Sequence, residues 1–320
     1  MLARMVFLWP PARKLRNTLI TLGQRLGAVE AELTALATRG SAAIDAARGP
    51  INCQPDQQSP PSPPSGPMII SLPAADLGVR ALEVWQCLKP MDVIGGRLVR
   101  KGRPFDGGYV MLMADFRQVV AYSLGIADDV SWDLDMADMG CDVFQYDHTI
   151  DQPPLRSESF HFSRFGIAAR SSSDGTFKSV ADILALNDHQ HRTDLILKMD
   201  IEAAEWDVLG SLESDTLARF SQIIVELHWL ALGEQPAQIS RVVHVLHKMN
   251  ETHQVIHLHA NNHGPLGILG GVMLPDAMEV SYVRKADHQF KVCDRVFPTD
   301  LDMPNNPNTA DYFLGALGHL

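Results

Sequence analysis

Beyond residue 68 the chain switches repeatedly between two hydrophobic periods. Short apolar runs mark strands over Gly107–Met113, Val119–Leu124, Asp142–Tyr146, Leu195–Met199, Gln222–Leu227, Gln254–Leu258 and Glu279–Val283, with a weaker one over Phe160–Phe165. Between them, helical spacing covers residues 80–88, Trp132–Met139, Ser179–Leu186, Glu205–Leu212 and Ile239–Met249. In the last of these, Ile239, Val242, Val243 and Leu246 fall on one face. Strands alternating with helices predict an α/β domain built on a mostly parallel, doubly wound sheet. The final two strands have no helix between them, which predicts a terminal hairpin and one antiparallel edge strand.

The first 67 residues follow other rules. Leu15, Leu19, Leu22, Leu26, Val29, Leu33 and Leu36 form a heptad seam. Residues 1–49 are therefore expected to be an amphipathic helix, used either for self-association into a homo-oligomer through residues 15–36 or for lying on the main domain. Residues 50–67 contain seven prolines and almost no apolar side chains, the composition of an extended linker. The expected organisation is this N-terminal helix, the linker, a main domain over 68–290 and a C-terminal tail over 291–320.

Charge and cysteine content narrow the partners. The formal net charge is −11 over 320 residues, against nucleic acid as a ligand. Cys53, Cys87, Cys141 and Cys293 are scattered without a metal-ribbon spacing, which fits a reducing, cytoplasmic setting. The apolar run Met5–Trp9 is cut by Pro10 and Pro11, far too short for a membrane span.

In a doubly wound sheet, ligands sit beyond the carboxyl ends of the strands. Those ends carry Gly125-Ile126-Ala127-Asp128, Asp147, Gly166-Ile167-Ala168, Asp200-Ile201-Glu202, and Glu226 with His228. Gly125 permits a tight turn, but no G-x-G-x-x-G cradle surrounds it, which disfavours a dinucleotide. Asp147 lies 22 residues on, near the offset of a ribose-binding acid. A phosphate-free nucleoside such as S-adenosylmethionine fits that combination, and a plain turn with a capping acid fits it too.

On an extended chain Asp200 and Glu202 point the same way. Glu205 stands either as a helix-capping acid or in the site. Glu226 and His228 share a side of their strand and could bind a divalent metal or hold a general base. His253, His257, His259 and His263 crowd one segment, with His253, His257 and His259 alternating onto one strand face. They lack a helical ligand spacing, so a polar wall for a substrate, shared with Asn261 and Asn262, is the better expectation.

Six blocks in order carry a resemblance: Asp106-Gly-Gly-Tyr109, Val120 to Asp133 with Gly140 to Asp147, Lys198-Met-Asp-Ile-Glu-Ala-Ala-Glu-Trp206, Ile224-Val-Glu-Leu-His228, His257 to Asn262, and Glu279 to Arg284. Over roughly residues 97–286 the chain resembles the FkbM-like methyltransferases, in the branch of methyltransferase-like protein 24. The resemblance implies a class I S-adenosylmethionine-dependent fold with seven strands. It implies cofactor contacts at Gly125, Ile126, Ala127 and Asp128, Asp147 on the ribose, and Ile167 and Ala168 near the adenine. Asp106 and Gly107 would close over the cofactor, and Asp200 would sit near the reacting methyl. Ala203 departs from the family pattern, which usually has glycine there.

The activity this implies is methyl transfer to a hydroxyl of a small molecule or sugar. His228 is expected as base, aided by Glu226 or Asp200, or else the acids hold a divalent cation. Glu202, His259, Asn261 and Asn262 are expected around the acceptor. The rival expectation is a non-catalytic S-adenosylmethionine-binding or assembly module.

Overall fold

The computed structural model describes residues 69–72, 75–228, 230 and 236–318. The heptad segment 15–36, the proline-rich stretch 50–67 and Cys53 lie outside the described residues. Seven strands form the main sheet: β1 (Val120–Leu124), β2 (Asp142–Tyr146), β3 (Phe160–Ser163), β4 (Leu195–Met199), β5 (Phe220–Leu227), β6 (His253–Ala260) and β7 (Met278–Arg284). Their order is β6-β7-β5-β4-β1-β2-β3. β3 to β5 run parallel along the sheet, and β7 is antiparallel to both of its neighbours.

Strand alternation divides the sheet into two packed faces. Leu195, Leu197 and Met199 join Tyr122, Leu124, Ile223 and Val225 in the larger core. That core is closed by α1 (Ala75–Cys87), α3 (Val180–Leu186), α4 (Glu205–Ser211) and α5 (Pro236–Thr252). Ile239, Val242, Leu246 and Met249 of α5 recur at helical spacing and are buried there, so packing rather than intrinsic propensity holds this helix. Ala121, Val143, Ile196 and Ile224 face the other way, against Trp132 and Met136 of α2 (Ser131–Asp138).

Three expectations are corrected. The antiparallel strand is not at the edge: β7 is inserted between β5 and β6, and β6 forms the edge. Six of the seven β7 residues are buried, so this strand needs a partner on each side. The run expected over Gly107–Met113 forms only Tyr109–Leu112, which pairs with Leu98–Lys101 outside the main sheet. It lies across the second face, where the Gln222 side-chain amide donates to Leu112 O at 2.9 Å and accepts from Leu112 N at 3.0 Å. Finally, the register shifts between Val255 and His257 in β6. This bulge reverses the alternation, so His253 does not share a face with His257 and His259.

Residues 291–318, set apart in the sequence as a tail, fold back on β6 and β7. Cys293, Phe297, Tyr312, Leu314 and Leu317 are buried in the larger core. His257 Nε2 pairs with Asp302 Oδ1 at 2.7 Å, and His259 Nε2 with Asp311 Oδ2 at 3.1 Å.

Candidate functional site

Strand order reverses between β1 and β4, so their carboxyl ends splay and leave a crevice. A cavity of about 390 Å³ opens there. Its wall includes Asp106, Gly107, Gly125–Asp128, Asp147, Ile167, Asp200 and Glu202. Ala168 is one residue past the lining, its amide bound to Lys178 O at 3.0 Å.

Gly125 ends β1 with φ +76, and a Cβ built on it would lie 1.7 Å from the carbonyl oxygen of Asp200. The ends of β1 and β4 therefore touch through bare backbone, and only glycine allows it. Asp200 N donates to Leu124 O and Gly125 N to Tyr146 O, each at 2.9 Å. From β4, Lys198 reaches across and donates from Nζ to Gly125 O at 2.7 Å. Sequence reasoning missed Lys198, although it is the one charged side chain in the run Leu195–Met199.

Asp147 is buried against this turn. Oδ2 accepts from Ile126 N (3.1 Å) and Ala127 N (2.9 Å), and Oδ1 accepts from Thr149 N (2.8 Å) and Thr149 Oγ1 (2.6 Å). Burial disfavours its charge, but these donors outweigh that and lower its pKa. All four acceptor positions of the carboxylate are thus filled from within the chain.

The acids past β4 do not lie as an extended strand would place them. Glu202 and Ala203 adopt φ +54 and +76, and the chain turns sharply. The Glu202 side chain is 88% exposed as a result. Ala203 holds the left-handed conformation at the position where the family pattern has glycine, without a hydrogen-bonding side chain to favour it. The turn delivers Glu205, fully buried, so that Oε1 accepts from Ile201 N at 2.9 Å.

His228 lies within reach of three carboxylates. Nδ1 is 3.3 Å from Glu205 Oε1, and Nε2 is 3.5 Å from Glu226 Oε1 and 3.8 Å from Glu202 Oε2. Burial works against its charge, but Glu205, Glu226 and Asp200 raise its pKa to about 9. These carboxylates favour the charged form of the imidazole. Glu226 is itself pushed well above its ordinary pKa, first by burial and then by Asp200 and Glu279. Tyr109 joins the group, donating its hydroxyl to Asp200 Oδ2 at 3.1 Å.

Of the acceptor-side expectations, Glu202 lies in the cavity wall and the other three lie elsewhere. His259 is 1% exposed, between Glu279 Oε2 (3.3 Å) and Asp311. Asn261 Nδ2 donates to Glu226 Oε1 at 2.6 Å. Asn262 Nδ2 donates to Asn306 O (3.0 Å) and Thr309 Oγ1 (2.9 Å). None of the three lines the cavity. They tie the C-terminal segment and the buried acids in place.

No family model matches the chain. Probable methyltransferase-like protein 24 of Homo sapiens is 32% identical over 124 residues, 35% of this chain and 33% of that protein. The Rattus norvegicus protein of the same name gives the same identity and coverage. The chain thus spans about one third of the length of the curated relatives it matches. That likeness and the strand order, with its inserted antiparallel β7, agree. In strand order and over this stretch of sequence the chain is similar to the class I methyltransferases. Among solved structures, the fibrillarin/Nop5p complex aligns with TM-score 0.34 and 9% identity, over 54% of this chain and 74% of that one. Among the described residues, no helix is long and apolar enough to cross a membrane.

Proposed function

We propose that this chain transfers a methyl group from S-adenosylmethionine to a hydroxyl oxygen on a small molecule or sugar. The observation that carries the reading is the cavity at the β1/β4 crevice, shaped by the Gly125–Asp200 backbone contact. Its volume lies within the range of small-molecule sites, roughly 300–1,000 Å³.

The lining fits this cofactor. Asp106, Asp128, Asp129, Asp133, Asp147, Asp200 and Glu202 face Arg103 and Lys198, an acidic balance suited to a sulfonium and an ammonium group. Trp132, also in the lining, has a buried indole N–H without a partner. When bound, S-adenosylmethionine supplies an electrophilic methyl group. The chain's own residues do the rest. The Gly125–Ala127 turn and Asp106 bind and orient. Asp147 holds that turn closed, and its carboxylate is where a ribose hydroxyl would compete with the Thr149 hydroxyl. Of the three residues expected in catalysis, Asp200 is the one that lines the cavity, and it takes the acceptor proton in this reading. His228 and Glu226 set the field behind it.

Calorimetric titration of the full chain with S-adenosylmethionine tests the binding, with NADH as the negative control. One saturable site for the first and none for the second is expected. Transfer of a labelled methyl into hydroxyl-bearing small-molecule fractions, read by mass spectrometry, tests the activity. It should vanish in Asp200→Ala while cofactor binding persists. Full turnover in that variant removes the mechanism. Binding without transfer to any acceptor leaves the non-catalytic module.

A further inference from the structure

A second cavity opens at the β6 edge of the sheet. It measures about 760 Å³ and lies between β6, the ribbon that pairs Met91–Val93 with Phe290–Val292, and residues 296–301. Small-molecule sites span roughly 300–1,000 Å³. Among the described residues, it shares no lining residue with the crevice cavity. Its floor is apolar: Leu112 and Ile256 are buried there, with Val93 and Leu98 packed against them.

The bulge in β6 builds one wall. Val255 pairs with Tyr282 and His257 with Ser281, so Ile256 has no partner in the ladder with β7. A bulge re-aims its side chain and leaves its backbone to other partners. Arg295 takes the Ile256 carbonyl, donating from Nη2 at 2.6 Å. Its Nε donates to Asp92 Oδ1 at 3.0 Å and its Nη1 to His257 Nδ1 at 3.3 Å. Asp302 braces His257 from the other side at 2.7 Å. The guanidinium is thus fixed in the wall by three separate stretches of chain, and its charge is matched by Asp92.

The rim is left cationic. Lys291 stands opposite Asp92 in the ribbon, and Arg97 follows the turn after Val93; both are exposed. Among the described residues neither enters an ion pair, because Asp92 is already held by Arg295. The remaining acid of the lining is Asp300. Two cations against one acid leave one positive charge in excess, on a chain whose formal net charge is −11. The crevice cavity, rich in acids, has the opposite balance. A ligand suited to one is disfavoured by the other.

We propose that this second cavity binds an aliphatic monoanion of the fatty-carboxylate type. Its hydrocarbon lies on Ile256, Leu112 and Leu98, and its carboxylate meets Arg97 and Lys291. Arg295, held by its own partners, shapes the wall. Binding there does not rest on the methyl-transfer reading and is measured without S-adenosylmethionine.

The test is calorimetric titration of the full chain with decanoate, below its micelle concentration, and one saturable site is expected. Decylammonium, of equal length and opposite charge, should bind at least about tenfold more weakly. The double variant Arg97→Glu/Lys291→Glu changes two exposed side chains and should weaken decanoate binding by about tenfold. Arg156→Glu, also exposed but outside the cavity, should leave it unchanged. Decanoate should shift the methyl resonances of Ile256 and Leu112 in the wild-type chain, which locates the site even if the double variant misfolds. Phosphatidylglycerol vesicles offer an anionic lipid at a surface, and the chain should not sediment with them. No decanoate binding, equal binding of decylammonium, full affinity in the folded double variant, or an unshifted Ile256 methyl overturns the proposal. So does sedimentation with vesicles in place of decanoate binding.

Discussion

Gly125→Ala probes the contact that creates the cavity. The new Cβ would start 1.7 Å from Asp200 O, and real Cβ contacts essentially never fall under 3.0 Å, so backbone must move by at least 3.0 − 1.7 = 1.3 Å. The opposing atom is a strand-end carbonyl and cannot swing away as a side chain would. The left-handed φ of +76 adds about 1 kcal/mol for any residue with a Cβ. Parting the strand ends strains three hydrogen bonds: Asp200 N to Leu124 O, Gly125 N to Tyr146 O and Lys198 Nζ to Gly125 O. Losing one or two of these costs about 1–3 kcal/mol. The expected total is about 2–4 kcal/mol, a large fraction of an ordinary domain's stability. Gly95 provides the control, with the same φ of +76 and nothing within 4 Å of its built Cβ. Gly95→Ala should lose only the conformational part, about 1 kcal/mol. Urea midpoints of both variants, with calorimetric titration of S-adenosylmethionine on whatever Gly125→Ala remains folded, give the comparison. If the two variants lose equal stability and Gly125→Ala binds the cofactor within about twofold of wild type, the close-approach argument is wrong.

Three further outcomes follow from the same geometry. Ala203→Gly should stabilise the chain by about 1 kcal/mol by relieving φ +76, read as a raised urea midpoint; a loss would mean that the Ala203 methyl packs usefully. Thr149→Val removes the hydroxyl that occupies Asp147 Oδ1 at 2.6 Å; cofactor affinity should hold or rise a few-fold, and a tenfold loss would show that Thr149 itself makes the contact. His259 is disfavoured as a cation by burial but raised to about 10 by Asp311 and Glu279. Its folded-state pKa is above the unfolded value of about 6.5, so its stabilisation is complete below that pH and fades as pH rises toward 10. Unfolding measured across pH 6.5 to 10 should show a progressive loss on the order of a few kcal/mol that His259→Gln removes.

The sheet was legible because its strands are buried on both faces and so read as unbroken apolar runs, as Leu195–Met199 does. The placement of β7 was not, because a hairpin connection fixes which strand it pairs with first and says nothing about its second edge. Burial of both its faces is visible only once β5 is there to receive it. The cavity's floor followed from local rules: a lone glycine at a strand end and an acid 22 residues later are both short-range signals. What stayed hidden is long-range. Asn305 meets Asp106 across 199 residues of chain, and no periodicity encodes that contact. The same holds for His259, whose alternation suggested a substrate wall. Its role is set by Asp311 and Glu279, which arrive from a later strand and from the segment beyond it. The surroundings of His228 show what residue identity alone leaves out. The strand-end position was legible, but the carboxylates of Glu205, Glu226 and Asp200, which raise its pKa, come from separate stretches of chain. Of the residues expected in catalysis, the cavity lining includes Asp200 and leaves His228 and Glu226 behind it.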